Sequence, residues 1–333
     1  MVVGSGAGGL VAAITSAYNG LNTVIIEKGN VWGGSSALSG GGLWIPNNHV
    51  SIKAGLQDSE EEALAYMQEI IEDTGPASTY ERKEAYVKNG HKMVKFLEEL
   101  GMKWVAGILY PDYYPEKTGG KIGRSIEAEI FDARILKEYE GTLRRGEIDP
   151  PIPLYSGKVA SLPKAFTNAK DFNTVVGMFM NGMKHKIKGS HAISIGGGLV
   201  ARLLKIAMDR NVPLLLSTPL KDLIIEEDKI VGVEAEKDGQ PYFIKCKAVI
   251  LAGGGFERNP ELRKKYHNVG VSWTSASPDN KGDILLIAQK HNMDTALLDD
   301  PWWGPTAIDA SGARKLMVYE RSMQPCIMVD QTG

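Results

Sequence analysis

Apolar residues first gather in two short runs that bracket a glycine turn. Val2 and Val3 lead into Gly4-Ser5-Gly6-Ala7-Gly8-Gly9, and an apolar stretch with helical spacing fills residues 10–19. Thr23-Val24-Ile25-Ile26 is a second β-branched run, closed by Glu27. Strand, glycine turn, helix and strand in that order open a parallel α/β fold. Farther along, helical periodicity predicts helices over 59–73 and 79–100. Ser59 and Glu62 supply a capping box for the first. Ala85, Met93, Phe96, Leu97 and Leu100 give the second an apolar face, and Gly101 stops it. Gly196-Gly197-Gly198 precedes a predicted helix over 199–210. Short apolar runs at 213–217, 221–226, 229–235 and 241–246 read as strands, with turns at Glu227-Asp228 and Asp238-Gly239. The last strong run, Ala248-Val249-Ile250-Leu251-Ala252, ends in Gly253-Gly254-Gly255.

Residues 141–190 break this rhythm. Pro150-Pro151-Ile152-Pro153 interrupts the chain, a Met- and Phe-rich segment runs from Val175 to Met183, and the basic stretch Lys184-His185-Lys186-Ile187-Lys188 follows. The texture predicts an inserted, partly helical excursion. A packed helix is the expectation there, with a lid over an apolar pocket or a lipid- or partner-facing surface as alternatives. The ends also look cut: three residues precede the first glycine turn, and Asp330-Gln331-Thr332-Gly333 reads as a hairpin turn without its return strand.

Composition narrows the class. With 43% hydrophobic and 23% charged residues the chain is an ordinary globular protein, and a net charge of −2 points away from nucleic acid. No apolar run approaches the ~20 residues of a membrane span. Two cysteines, Cys246 and Cys326, suit a reducing cytoplasm, where each is expected to be a small buried hydrophobe. The histidines, at 49, 91, 185, 191, 267 and 291, have no metal-ligand spacing, and no metal is expected. His191 reads as a solvated loop residue beside the glycines.

The chemistry lies in the glycines. In the first turn, one glycine permits the sharp bend, one admits a pyrophosphate close to the backbone, and one lets helix pack on strand. The helix start offers free N–H groups and a positive dipole end. Glu27, closing the next strand, is placed to accept from a ribose 2′-OH and would repel a 2′-phosphate, favouring FAD or NAD over NADP. The second glycine- and hydroxyl-rich stretch, 33–42, predicts a loop that passes along a flat cofactor. An antiparallel meander followed by a second glycine-terminated strand fits a flavoprotein better than a simple dehydrogenase.

On five stretches the chain resembles the fumarate reductase/succinate dehydrogenase flavoprotein superfamily, and within it the 3-ketosteroid Δ1-dehydrogenases. They are Gly4 to Gly9 with Glu27-Lys28; Gly33 to Gly41; Pro111-Asp112-Tyr113-Tyr114 with Gly123-Arg124-Ser125; Leu251 to Phe256; and Asn280-Lys281-Gly282-Asp283 with Trp302-Trp303-Gly304-Pro305. The resemblance implies non-covalent FAD, a small apolar steroid-like substrate, an external electron acceptor, and removal of two hydrogens from C1 and C2 of a 3-ketosteroid. In that family a tyrosine takes the α-proton, hydrogen bonds stabilise the enolate and flavin N5 accepts the hydride. Tyr113 matches a pocket tyrosine that supports the proton-abstracting one. The main catalytic tyrosine, the oxyanion-binding backbone and a last FAD segment are expected C-terminal to residue 333. Tyr319 reads as an edge-strand residue.

The cofactor set that follows is Gly4, Ser5, Gly6, Ala7, Gly8, Gly9, Glu27, Lys28, Gly34, Ser35, Ser36, Ser39, Gly40, Gly41, Leu220, Ala252, Gly253, Gly282 and Asp283. Asp283 also reads as a charge stabilising a helix start. Trp302 and Trp303 are expected to line a pocket or a domain junction. The expected fold is α/β: a Rossmann-like FAD-binding domain from 1–105 and 190–298, an inserted helical segment over 106–189, and the start of an α+β substrate domain from 299. The competing readings are a fumarate-type reductase, for which Arg124 and Arg202 are the candidate dicarboxylate-binding arginines, another cyclic-ketone or enone flavoprotein, and a catalytically incomplete FAD-binding fragment.

Overall fold

The computed structural model describes residues 1–146, 152–308, 310, 312, 314–317 and 329. Pro150 and Pro151, Tyr319, Cys326 and the turn at 330–333 lie outside the described residues.

The centre is a parallel sheet. β1 (Val2–Val3) pairs with Ile250–Leu251 on one side and with β2 (Ile25–Ile26) on the other, and β2 pairs with Leu214–Leu215. Alternation along such strands sends successive side chains to opposite faces. Val2, Ile25 and Leu214 therefore pack with Leu10 and Ile14 of α1 (Ala7–Tyr18) and with Val200, Leu203 and Leu204 of the helix Ile195–Met208. Their neighbours Val3 and Ile26 pack on the other face against Leu223, Val233, Ala235 and Ile287. Leu223, Val233 and Ala235 belong to an antiparallel meander, Leu220–Glu226, Lys229–Lys237 and Gln240–Lys245. Both faces of the sheet are thus covered, and each fully buried aliphatic side chain contributes about 1.5–3 kcal/mol.

Several expectations shift in detail. The strand read over 23–27 contracts to Ile25–Ile26. The helices at 59–73 and 79–100 form as Glu60–Ile71 and Tyr80–Glu99. Ser59 caps the first by accepting from Glu62 N at 3.2 Å, while the Glu62 carboxylate pairs with Lys121 instead of closing the box. The second helix buries Lys83, Val87, Val94 and Leu97, and Ala85 is exposed. Gly196-Gly197-Gly198 does not precede its helix but lies inside it. A Cβ at Gly196 would stand 2.2 Å from Ser36 O and 2.5 Å from Ser39 O. The bare backbone lets this helix abut α2 (Gly34–Leu38), a short helix where a loop was the expectation. Cys246 is half-buried.

Pairing also crosses the expected domain boundary at 105. Leu43–Trp44, Ser125–Ala128 and Trp104–Ala106 form one antiparallel sheet, and Phe131–Asp132 pairs with Ala192–Ile193. Beyond 299, Thr306–Ile308 and Arg314–Leu316 make a two-stranded antiparallel hairpin. The Met- and Phe-rich segment forms the helix Ala169–Ile187, but it is not the packed helix expected. Gly182, set against Ile152, is its one buried residue, while Phe172, Phe179, Met180 and Met183 are exposed. No helix among the described residues is long and apolar enough to cross a membrane.

Among the described glycines, the closest approach is under the glycine turn. A Cβ at Gly9 would lie 2.0 Å from Gly4 O. Gly9→Ala is expected to cost about 3 kcal/mol, as overpacking against backbone that cannot retreat, read as a lowered midpoint in thermal unfolding. Gly8→Ala, where a Cβ meets nothing within 4 Å, is the control and should leave the midpoint near wild type.

Candidate functional site

A crevice of about 170 Å³ opens above the C-terminal ends of the parallel strands, the position where open α/β sheets bind ligands. Gly4, Ser5, Gly6, Ala7 and Gly8 form its floor, Glu27 and Lys28 one wall, and Gly34, Ser35 and Ser36 its roof. Leu220, Ala252, Gly253, Gly254, Ser277, Asp279, Asn280, Asp283 and Arg144 also line it, with Val3, Ile26 and Ile284.

Glu27 organises this space. The residue is 8% exposed, and its carboxylate accepts from Ser5 N at 3.0 Å, from Ser5 Oγ at 2.6 Å and from Gly29 N at 2.9 Å. Ser5 Oγ in turn accepts from Gly33 N at 3.0 Å. A carboxylate offers about four acceptor positions. Three are used within the chain, which leaves one for a ribose hydroxyl rather than the free carboxylate that the spacing alone suggests.

The start of α1 suits an anion. Its N-cap residue, Gly6, has no side chain with which to cap, and no acid stands in its first turn. Ser36 Oγ accepts from Ala7 N at 3.1 Å, so α2 is tied to the same helix end. Ser35 Oγ accepts from Ser277 N and from Asn280 Nδ2, each at 3.1 Å, joining the roof to the 277–283 segment. A Cβ at Gly4 would meet Ala252 O at 2.3 Å and one at Gly253 would meet Ile284 Cγ1 at 2.3 Å, whereas at Gly8 it would enter open space. The backbone is closely packed below and bare above, and the residues present therefore fit a dinucleotide.

Other residues of the expected set lie elsewhere. Gly9 packs beneath the turn, and Gly282 is the left-handed N-cap of the helix Asp283–Lys290. Ser39 O accepts from Gly196 N at 3.0 Å, Gly40 O accepts from Ser156 Oγ at 2.8 Å, and Gly41 lies against the Ile195 and Gly196 backbone. These three stand outside the crevice and hold the second glycine stretch to its neighbours. Asp283 does open a helix, but it also pairs with Lys28 across the crevice. His191 is exposed and bonded to Glu140. Arg144, which pairs with Asp279, is a lining residue that no sequence motif marks; it follows the 3₁₀ stretch Ala133–Thr142.

Tyr113 sits apart, on an exposed loop, with its ring edge-on to Trp302 at 5.2 Å between centroids. The loop hangs from a buried ion cluster. Arg124 donates to Asp58 at 2.8 Å and to Asp112 at 2.9 Å, and all three side chains are within 1% of full burial. Asp112 also accepts from Trp44 Nε1 at 2.7 Å and from Lys121 N at 2.9 Å. Burial opposes the guanidinium's charge, but the two carboxylates more than offset that and raise its pKa above the usual value. Arg202 donates to Glu129 O at 2.7 Å and to Ile130 O at 3.0 Å. Both arginines considered for a dicarboxylate are therefore engaged in holding the fold.

Comparison with known proteins places the chain in a family. A family model described as an FAD binding domain matches residues 1–333, and the chain belongs to that family. It is 35% identical over 352 residues to the 3-oxosteroid 1-dehydrogenase of Mycolicibacterium smegmatis, covering 100% of this chain and 60% of the relative. It is 36% identical over 349 residues to the 3-oxosteroid 1-dehydrogenase of Mycobacterium tuberculosis, covering 100% and 61%. Among solved structures, 3-ketosteroid Δ1-dehydrogenase from Sterolibacterium denitrificans, in complex with 1,4-androstadiene-3,17-dione, matches with a TM-score of 0.81 at 28% identity, over 95% of this chain and 58% of that one. The chain spans about three-fifths of the length of the relatives it matches. The cofactor of the family is FAD, and the fold is that of an FAD-binding flavoprotein.

The ion cluster under Tyr113 yields a direct expectation. Arg124→Met would leave two buried carboxylates without their cation and is expected to cost about 3–5 kcal/mol, measured by denaturant unfolding. The double variant Asp58→Asn/Asp112→Asn in the wild-type Arg124 background should be comparably destabilised, since the buried charge is then the arginine's.

Proposed function

We propose that this chain is the FAD-binding part of an oxidoreductase that desaturates the C1–C2 bond of 3-ketosteroids. The observation that carries the proposal is the dinucleotide crevice on a chain 35% identical, along its whole length, to a 3-oxosteroid 1-dehydrogenase. The aromatic pair Tyr113–Trp302 supports it, because two exposed ring faces suit a rigid apolar polycycle. In this reading residues 1–105 and 190–298 form the cofactor domain, 106–189 form an insertion that carries Tyr113 and lends Arg144 to the crevice, and residues from 299 begin the substrate domain. A reducing cytoplasm is the setting that its cysteine usage fits.

When bound, FAD supplies a hydride acceptor. The chain's own residues bind and orient it: Gly4 to Gly8 and the start of α1 receive the diphosphate, Glu27 offers its remaining acceptor position to a ribose hydroxyl, and Lys28 adds a cation beside them. The ketone acidifies the α-proton of the substrate, so its removal needs a positioned base and donors for the developing oxyanion. Tyr113 is assigned the role of a hydrogen-bond support for the tyrosine that takes this proton. This reading requires an external electron acceptor as a partner.

Purified chain incubated with FAD should turn yellow and show a flavin spectrum, and a colourless product would favour an incomplete fragment. In the whole protein, a 3-ketosteroid should bleach the flavin anaerobically; bleaching by succinate instead would sink the substrate assignment. Tyr113→Phe should lower the bleaching rate by about 10²-fold while leaving the flavin spectrum intact and the steroid KM within a few-fold.

A further inference from the structure

Two charged residues line the crevice as cations, Lys28 and Arg144, against the acids Glu27, Asp279 and Asp283. The described lining therefore carries more acid than base, yet it has to receive the doubly negative diphosphate of a dinucleotide. A helix start contributes only about half a positive charge. The cations must supply the rest.

Arg144 is built into the crevice from beneath. Its backbone N donates to Trp32 O at 2.9 Å, which fixes the residue against the segment that follows β2. Its side chain is nine-tenths buried, with 10% of its surface exposed. Its terminal nitrogen pairs with Asp279 and lies 3.4 Å from where a Cβ on Gly29 would stand. The Nε–H is buried and has no partner among the described residues. A buried guanidinium N–H without an acceptor is costly, and such groups are normally satisfied by protein, water or ligand.

Resting on the FAD reading above, we propose that Arg144 is a cofactor-binding residue whose guanidinium takes the diphosphate of the ADP half in place of Asp279. The planar fork of arginine presents several N–H groups to one anionic group. The Arg144–Asp279 and Lys28–Asp283 pairs both cross from one wall of the crevice to the 277–283 segment. These pairs hold the walls together. Nucleotide binding releases Asp279 to solvent, where it is already one-third exposed at 34%.

The test titrates FAD into the ligand-free chain by quenching of flavin fluorescence, and measures ADP by its displacement of FAD. Arg144→Gln is expected to weaken FAD and ADP alike by about 10- to 100-fold, the range of a charge-assisted hydrogen bond. Arg144→Lys, which keeps the charge without the fork, should fall between wild type and Arg144→Gln. Asp279→Asn should bind FAD at least as tightly as wild type, because it frees the arginine. Wild-type affinity for both ligands in Arg144→Gln would overturn the proposal. So would an Asp279→Asn loss equal to that of Arg144→Gln, which would make the ion pair itself, as a structural brace, the element that matters. A wild-type chain that takes up no FAD would instead fail the cofactor reading on which the proposal stands. Thermal unfolding of each ligand-free variant reports on folding, and the Asp279→Asn comparison decides the question even if Arg144→Gln is destabilised.

Discussion

A single buried carboxylate fixes the geometry of the crevice. Glu27 closes β2, yet its three hydrogen bonds reach the first glycine turn through Ser5 and the chain after the strand through Gly29. Ser5 extends the same network to Gly33 and hence to the start of α2. Floor, wall and roof are thereby referred to one side chain. In a low-dielectric setting such a network is strong when every member is satisfied and costly when one is lost. It also explains why the position needs a carboxylate: two backbone N–H groups and one hydroxyl converge on it, and an amide could accept through one oxygen only.

The electrostatics follow from that arrangement. The wall that carries Glu27 is acidic, as a ribose hydroxyl would require on the FAD reading, whereas a diphosphate there would call for cations nearby. Here both cations are kept near the site by acids on the opposing 277–283 segment. Arg144 is nine-tenths buried, so its charge needs a partner at all times; on the FAD reading a diphosphate takes the place of Asp279 by restoring that counter-charge, while Asp279, one-third exposed, returns to water. The acids thus keep Lys28 and Arg144 oriented at the crevice. A site assembled this way is preorganised in position while leaving its charges available.

Local chemistry made much of this legible in the sequence. Val2-Val3, the glycine turn, α1 and the strand ending at Glu27 are contiguous, and each constrains its neighbour through turn geometry or period. Legibility failed where a role depends on what packs against a residue. Ser39, Gly40 and Gly41 suit a cofactor loop because they are small and polar, and the same small size admits the helix Ile195–Met208, a contact that no local pattern announces. The same close approach draws Gly196 into that helix, against its propensity. Arg144 reaches the crevice from a segment far along the chain, with no motif around it. Arg124, by contrast, has a chemistry suited to a ligand and is consumed by burial between two aspartates.

That burial has its own logic. Replacing an ion cluster by apolar side chains of similar volume is often neutral or stabilising, so stability alone does not explain an arginine between Asp58 and Asp112. Its direction does. Asp112 must accept at once from Arg124, Trp44 and the Lys121 backbone, and few orientations of the loop satisfy all three. Asp58 adds a bond from Asn47 N at 2.8 Å, which ties the cluster to the chain after the strand Leu43–Trp44. An apolar contact would tolerate sliding of the 110–114 loop, whereas directional bonds do not. Tyr113 can therefore be exposed and yet held in place, since its freedom is limited by the neighbour one position earlier in the chain.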